Sequence, residues 1–174
     1  MQEHIVLAVI GADRVGLVDE VSEFVLARGG SVEDSRMVNL RGQFAIIMLV
    51  AGAHEALDRL DADLETLRSG SDVHAQLTPA ATERAPRPAM PFRLTGRALD
   101  QAGLVHSVAH ALRGLDVSIE SMDTTLEAAP ITGSPVFSME LIVSVPVETP
   151  VARLRETLAA VCDPLNIDWH LAAL

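Results

Sequence analysis

The chain has no Tyr, one Trp and four Phe in 174 residues, an aromatic content of 3%. With so few rings it offers no platform on which bases could stack. It also has no Lys. Its thirteen basic residues are all Arg, set against 24 acidic ones, for a formal charge of −11 with both halves acidic. A phosphate backbone would be repelled, so direct nucleic-acid binding is not expected. The single cysteine, Cys162, excludes an intramolecular disulfide and fits a reducing compartment. No apolar run approaches the roughly 18 residues of a membrane span, and the amino-terminal residues lack the charged and apolar regions of a secretory signal. A soluble, cytoplasmic chain without membrane partners is expected. Walker loop, Rossmann glycine fingerprint and Gly-x-Ser-x-Gly elbow are all missing, and no cofactor is expected.

What the chain does have is an internal repeat. Asp13-Arg-Val-Gly-Leu-Val18 returns as Asp100-Gln-Ala-Gly-Leu-Val105, 87 residues later, and Ser31-Val-Glu33 returns as Ser118-Ile-Glu120 at the same offset. Phe44–Val50 pairs with Phe137–Val143 at an offset of 93, so the second copy has gained six residues, most simply within Ala128–Gly133. A period this long is that of a small domain, not of a solenoid unit. A unit of this size buries a modest share of its surface, so each copy is expected to lean on the other or on another chain. The hydrophobic content of 49% supplies a core built from aliphatic side chains.

Within copy one, Ile5–Ile10 is a continuous apolar run that suits a central strand buried on both faces. Asp13 is placed to cap a helix whose apolar face carries Val18, Val21 and Val25, and Gly29-Gly30 ends it. A mixed strand over Val32–Leu40, a turn at Arg41-Gly42 and a second central strand over Phe44–Val50 follow. Leu57, Leu60, Leu64 and Leu67 mark one further amphipathic helix, and Val73–Leu77 a closing strand. Copy two agrees: Val105, Val108 and Leu112 mark its first helix, Val151, Leu154, Leu158 and Val161 its second, and Ile167–Leu171 its last strand. Two β-α-β-β-α-β units of class α+β are expected. Each is a ferredoxin-like four-stranded antiparallel sheet with two helices on one face, first and third strands central. The domains are read as 1–78 and 92–174, joined by a Pro-rich linker over 79–91 that can span about 40 Å as polyproline II. The prolines should keep that linker out of either sheet interior. Edge strands at Val32–Leu40 and Ile119–Leu126 need cover. The copies are therefore expected to pack together within the chain, and chains to pair as a homodimer.

The strand-to-helix turns are the candidate site. A helix amino terminus offers free N–H groups and the positive end of the dipole to an anion such as a carboxylate. Gly16 and Gly103 let backbone approach a ligand closely. The same residues also serve a capped structural turn, so the residues alone leave both readings open. His106 and His110, at i and i+4, could share a helix face as metal ligands, but no obvious third and fourth ligands accompany them. Cys162 reads as a small buried hydrophobe.

The Asp-x-x-Gly-Leu-Val turn, the run Gly29-Gly-Ser-Val-Glu-Asp-Ser-Arg-Met37 and Gly42-Gln-Phe-Ala45 resemble the ACT domain. The whole chain is similar to the two-ACT proteins grouped with the glycine cleavage system transcriptional repressor, and Ala129–Phe137 is similar to that group's second-copy insertion. The resemblance implies a regulatory, non-enzymatic module that binds a small amino acid, glycine or serine first, at an interface between domains. Carried over residue by residue, it points to Asp13, Arg14, Val15, Gly16, Leu17 and Val18 with Ser31, and to Asp100, Gln101, Ala102, Gly103, Leu104 and Val105 with Ser118. It also implies action through a protein partner such as a transcriptional activator. The family turn commonly has Pro where this chain has Val15 and Ala102, and often Asn where it has Ser31 and Ser118. A hydroxyl reaches less far than an amide and has fewer donors and acceptors. The alternatives are a ligand-free ACT scaffold and a small metal-dependent enzyme using His106 and His110.

Overall fold

The computed structural model describes residues 2–80, 87–130 and 132–174. The chain divides into two compact units, Met1–Glu83 and Arg84–Leu174. Unit one runs β1 (Glu3–Ala12), α1 (Leu17–Ala27), β2 (Ser31–Leu40), β3 (Gln43–Gly52), α2 (His54–Ala62), α3 (Leu64–Ser71) and β4 (Val73–Pro79). Unit two runs β5 (Ala89–Leu99), α4 (Leu104–Arg113), β6 (Ser118–Ala128), β7 (Pro135–Pro146), α5 (Val151–Cys162) and β8 (Asp168–Ala173). The sheets are antiparallel, with orders β2-β3-β1-β4 and β6-β7-β5-β8. First and third strands of each unit are thus central, as right-handed crossovers demand. Among the described residues no helix is long and apolar enough to cross a membrane.

Each unit has its own core. Leu7, Val9, Phe44, Met48 and Val50 of the first sheet pack with Leu17, Val21, Leu60 and Leu67 of its helices. Leu94, Leu141 and Val143 of the second pack with Leu112, Leu154 and Leu158. Cys162 is fully buried in that second core. Burial pushes its thiol up to about 11, because the apolar surroundings disfavour the thiolate.

Several local expectations are corrected. The buried face of α1 is Leu17, Val21, Phe24 and Val25, whereas Val18 is 45% exposed. The helix starts directly after Gly16, so Leu17 rather than Val18 is the first side chain to turn inward. The stripe Leu57–Leu67 is buried as expected but lies on two helices, broken at Asp63. The Asp63 N–H still reaches the Arg59 carbonyl, and φ −96°, ψ 5° departs little from helical geometry, so the apolar face carries across the break. Burial of Ile5–Ile10 on both faces is not observed. Leu7 and Val9 face the helices at 0% exposure, while Ile10 on the opposite face is 52% exposed.

Pairing of β5 reaches back to Ala89, so Ala89–Pro91 of the expected linker are strand. Pro91 sits in the ladder without cost. Its carbonyl accepts from the Leu174 N–H on the β8 side, so the N–H it lacks would face the end of β8 and not β7. Residues 81–86 of that linker lie outside the described residues. The extra length of copy two forms the β6–β7 loop, of which Ile131 is likewise not described. Ala129 N–H donates to the Ser134 carbonyl at 2.8 Å to close it.

Candidate functional site

Both strand-to-helix turns have the same backbone form. Gly16 and Gly103 take the left-handed conformation at the helix N-caps, φ 93° and 95°, which a side chain would strain. The first helical bonds are Glu20 N–H to Gly16 C=O at 3.0 Å and Ser107 N–H to Gly103 C=O at 2.9 Å. The amides of Val18 and Asp19, and of Leu104, Val105 and His106, stand ahead of these ladders as outward donors. The space before them is open. A Cβ at Gly103 would meet nothing within 4 Å, and one at Gly16 only Glu20 Oε1 at 3.9 Å.

The aspartates do not cap. No side chain caps α1 or α4. Asp13 lies three residues ahead of the N-cap, and its carboxylate instead accepts from Asn39 Nδ2 while its N–H donates to the Gly42 carbonyl at 2.8 Å. Asn39 Oδ1 accepts from the Gly42 N–H at 3.2 Å, so Asp13 ties the turn to the β2–β3 hairpin. Asp100 makes the matching backbone bond, to the Pro135 carbonyl at 3.0 Å.

Arg14 is committed elsewhere in its own unit. Its guanidinium donates to both carboxylate oxygens of Glu20, and at 3.4 Å to the carbonyl of Ser71. The Ser71 hydroxyl donates to Glu20 at 2.7 Å. The Arg14 bonds first, then the Ser71 hydroxyl, hold the Glu20 carboxyl down at about 2. In unit two Gln101 Nε2 donates to the Leu165 carbonyl at 2.9 Å, the place that Ser71 holds in unit one. Each of these carbonyls immediately precedes a left-handed residue, Asp72 or Asn166, before the last strand. The second residue of each turn is therefore an anchor to the loop before that strand. Glu20 and Ser71 were missed from the sequence, yet a signal existed: Arg14 and Glu20 change together, to Gln101 and Ser107, between the copies.

Val15 is fully exposed at the turn apex and Ala102 is exposed, whereas Leu17 and Leu104 are buried anchors of their helices. Val18 is exposed and Val105 half-buried. A cavity of ≈ 470 Å³ opens beside the first turn, lined by Asp13, Arg14, Gly16, Val18, Asp19 and Met37 among others. A neighbouring cavity of ≈ 580 Å³ is lined by Asp19, Ser22, Gly30, Ser31 and Val32 among others. They share Asp19 and Ser22, making a groove between α1 and β2 that runs from the turn to Ser31. The 11 residues of α1 span about 16 Å, so turn and serine sit at opposite ends of it. Ser118 is exposed at the start of β6, opposite Ser144.

The helix ends differ in charge. The first turn of α1 carries Asp19 and Glu20, whereas that of α4 has no acidic residue. With Asp100 ahead of it as the motif's one carboxylate, the amino terminus of α4 is the less acidic of the two helix ends. The rings of His106 and His110 are 5.8 Å apart on exposed α4 positions. Among the described residues no three His, Cys, Asp or Glu side chains converge on a metal-sized space.

Residues 3–78 match the family model of the ACT domain. The glycine cleavage system transcriptional repressor of Escherichia coli (strain K12) is 24% identical over 168 residues, covering 95% of this chain and 87% of that protein. An unknown protein from Galdieria sulphuraria has a crystal structure similar to this one, with a TM-score of 0.83 at 25% identity, over 100% of this chain and 99% of the other. A structure provisionally assigned as a glycine cleavage system transcriptional repressor has a TM-score of 0.75 at 20% identity, over 100% and 98% of the two chains, and shares the fold.

Proposed function

We propose that this chain, a tandem ACT-domain protein similar to the glycine cleavage system transcriptional repressors, is a non-enzymatic cytoplasmic regulator that binds a small amino acid and acts through a protein partner. The observation that carries the reading is the pair of open turns. Each presents unpaired helix amides behind a left-handed glycine, the arrangement that suits a ligand carboxylate. The second turn carries Asp100 but no acidic residue in the first turn of its helix, and is the stronger receptor. A ligand that also meets a serine at the start of β2 or β6 is too small to bridge one unit's own turn and serine across the length of a helix. The net charge of −11 favours a protein over DNA as the partner, and a transcriptional activator is the partner class that the resemblance implies.

A second reading, a ligand-free scaffold, is favoured by two observations: Asp19 and Glu20 crowd the first turn, and Ser replaces the amide expected on the second strand. Calorimetric titration with the amino acids, glycine and serine first, separates the two. The regulatory reading expects saturable binding to the wild type and its loss in Gly103→Val, with the far-ultraviolet circular dichroism of the variant unchanged. No heat from any amino acid at millimolar concentration supports the scaffold instead.

A further inference from the structure

The two sheets have diverged on the face turned away from their helices. In the first sheet the middle of that face is formed by Val6, Ala8 and Ile10 of β1, directly opposite Leu49, Ile47 and Ala45 of β3. All six are apolar. The corresponding positions of the second sheet are Arg93, Thr95 and Arg97 of β5, opposite Ile142, Glu140 and Ser138 of β7. Five of those six are polar, and Arg93 and Glu140 form an ion pair at 3.2 Å. The second face is built for water. The first is not, yet Ile10 and Ile47 are 52% and 49% exposed. Its apolar surface extends onto β2, where Val38 lies beside Ala45 and is 45% exposed. A strand apolar on both faces is the pattern of a sheet covered on both sides, and exposed apolar patches of several hundred Å² mark interaction surfaces.

The charges on this face narrow the partner. Asp34 and Arg36 bond to each other, and His4 bonds to Glu33 at 3.0 Å. The face is close to neutral on a chain of net charge −11. A basic or acidic partner would find no counter-charge, whereas two copies of the face meet without like-charge repulsion. Under a two-fold axis Asp34 of one copy can also face Arg36 of the other, since such an interface is self-complementary. Four strands about 4.8 Å apart and about seven to ten residues long give roughly 600 Å² per copy. Two copies bury about 1,200 Å², the lower bound for a specific, stable interface.

We propose that the open face of the first sheet is the docking surface for the same face of a second copy of this chain, the two sheets packing face to face about 10 Å apart. This goes beyond the ligand reading and does not depend on it. Sedimentation velocity and light scattering on the purified chain at micromolar concentration test it. The wild type should have twice the 18.6 kDa mass of one chain. Ile47→Glu and Ile10→Glu, each at a half-exposed position that folding can spare, should each halve that mass with an unchanged circular dichroism spectrum. Thr95→Glu, at the matching place on the second sheet, should leave the dimer intact. A monomeric wild type, a folded Ile47→Glu or Ile10→Glu that stays dimeric, or a Thr95→Glu that dissociates equally, would each overturn the proposal.

Discussion

Arg14 and Gln101 differ in charge and length but reach the same backbone carbonyl position in their two units. Unit one adds a carboxylate, Glu20, that holds the guanidinium in place, and unit two manages without either charge. This gives a pH dependence of known sign. The Glu20 carboxyl sits at about 2 in the folded chain, below its ordinary 4.5. A group with a lowered folded value adds stability above its unfolded pKa, and that addition disappears as pH falls through the folded value. The melting temperature of the wild type should therefore exceed that of Glu20→Gln near neutrality, and the gap should close between about pH 4.5 and 2. A gap that stays constant over that range contradicts the ion pair. At the turn itself, Gly103→Ala should cost about 1–2 kcal/mol, from left-handed strain alone since nothing crowds the added methyl. Urea unfolding with an unchanged slope checks it. The glycines and the turns were legible in the sequence because the repeat printed them twice. The role of Asp13 was not, because its capping competence is local chemistry while its actual partner, Asn39, is 26 residues away.

At the scale of elements, the second helical segment of unit one shows what periodicity conveys. Leu57, Leu60, Leu64 and Leu67 place the buried face correctly, and the same regularity conceals the break at Asp63. A junction so near to helical geometry leaves the apolar spacing unchanged, so no hydrophobic signal marks it. What holds the junction is Arg28, at the end of α1. Its Nε donates to Asp63 Oδ2 at 2.9 Å, a terminal nitrogen donates to the Phe24 carbonyl at 3.1 Å, and the guanidinium lies 3.9 Å from the Phe24 ring centroid. With its side chain only 18% exposed, Arg28 is packed as well as paired. Arg28→Ala should lower stability by about 1–2 kcal/mol, read by urea denaturation. A loss within error of zero would mean that the α2–α3 junction needs no tie to α1. Strand order was legible too, since the two most apolar strands of each unit had to be central. Strand ends were read less well at Ala89–Pro91, where prolines suggested a linker but the N–H that Pro91 lacks would face Leu174, just past the end of β8.

At the scale of the molecule, duplication made two copies of one fold and then let them specialise. The first unit has an apolar open face and charges in the first turn of its α1. The second has a polar open face and a longer β6–β7 loop, and the first turn of its α4 has no acidic residue. The apolar run at Ile5–Ile10 announced the first of these differences in the sequence. It could not announce which side of the sheet the helices would take, and so not which half of the run would stay exposed. In the proposed function the turns receive an amino acid's carboxylate, the second more strongly than the first. The most direct measurement is a nitrogen-15 amide NMR titration of the whole chain with the amino acids, glycine and serine first. Saturable shifts are expected, centred on Leu104, Val105 and His106, with a weaker set at Val18 and Asp19. Shifts absent at millimolar ligand, or centred on residues away from both turns, would contradict it.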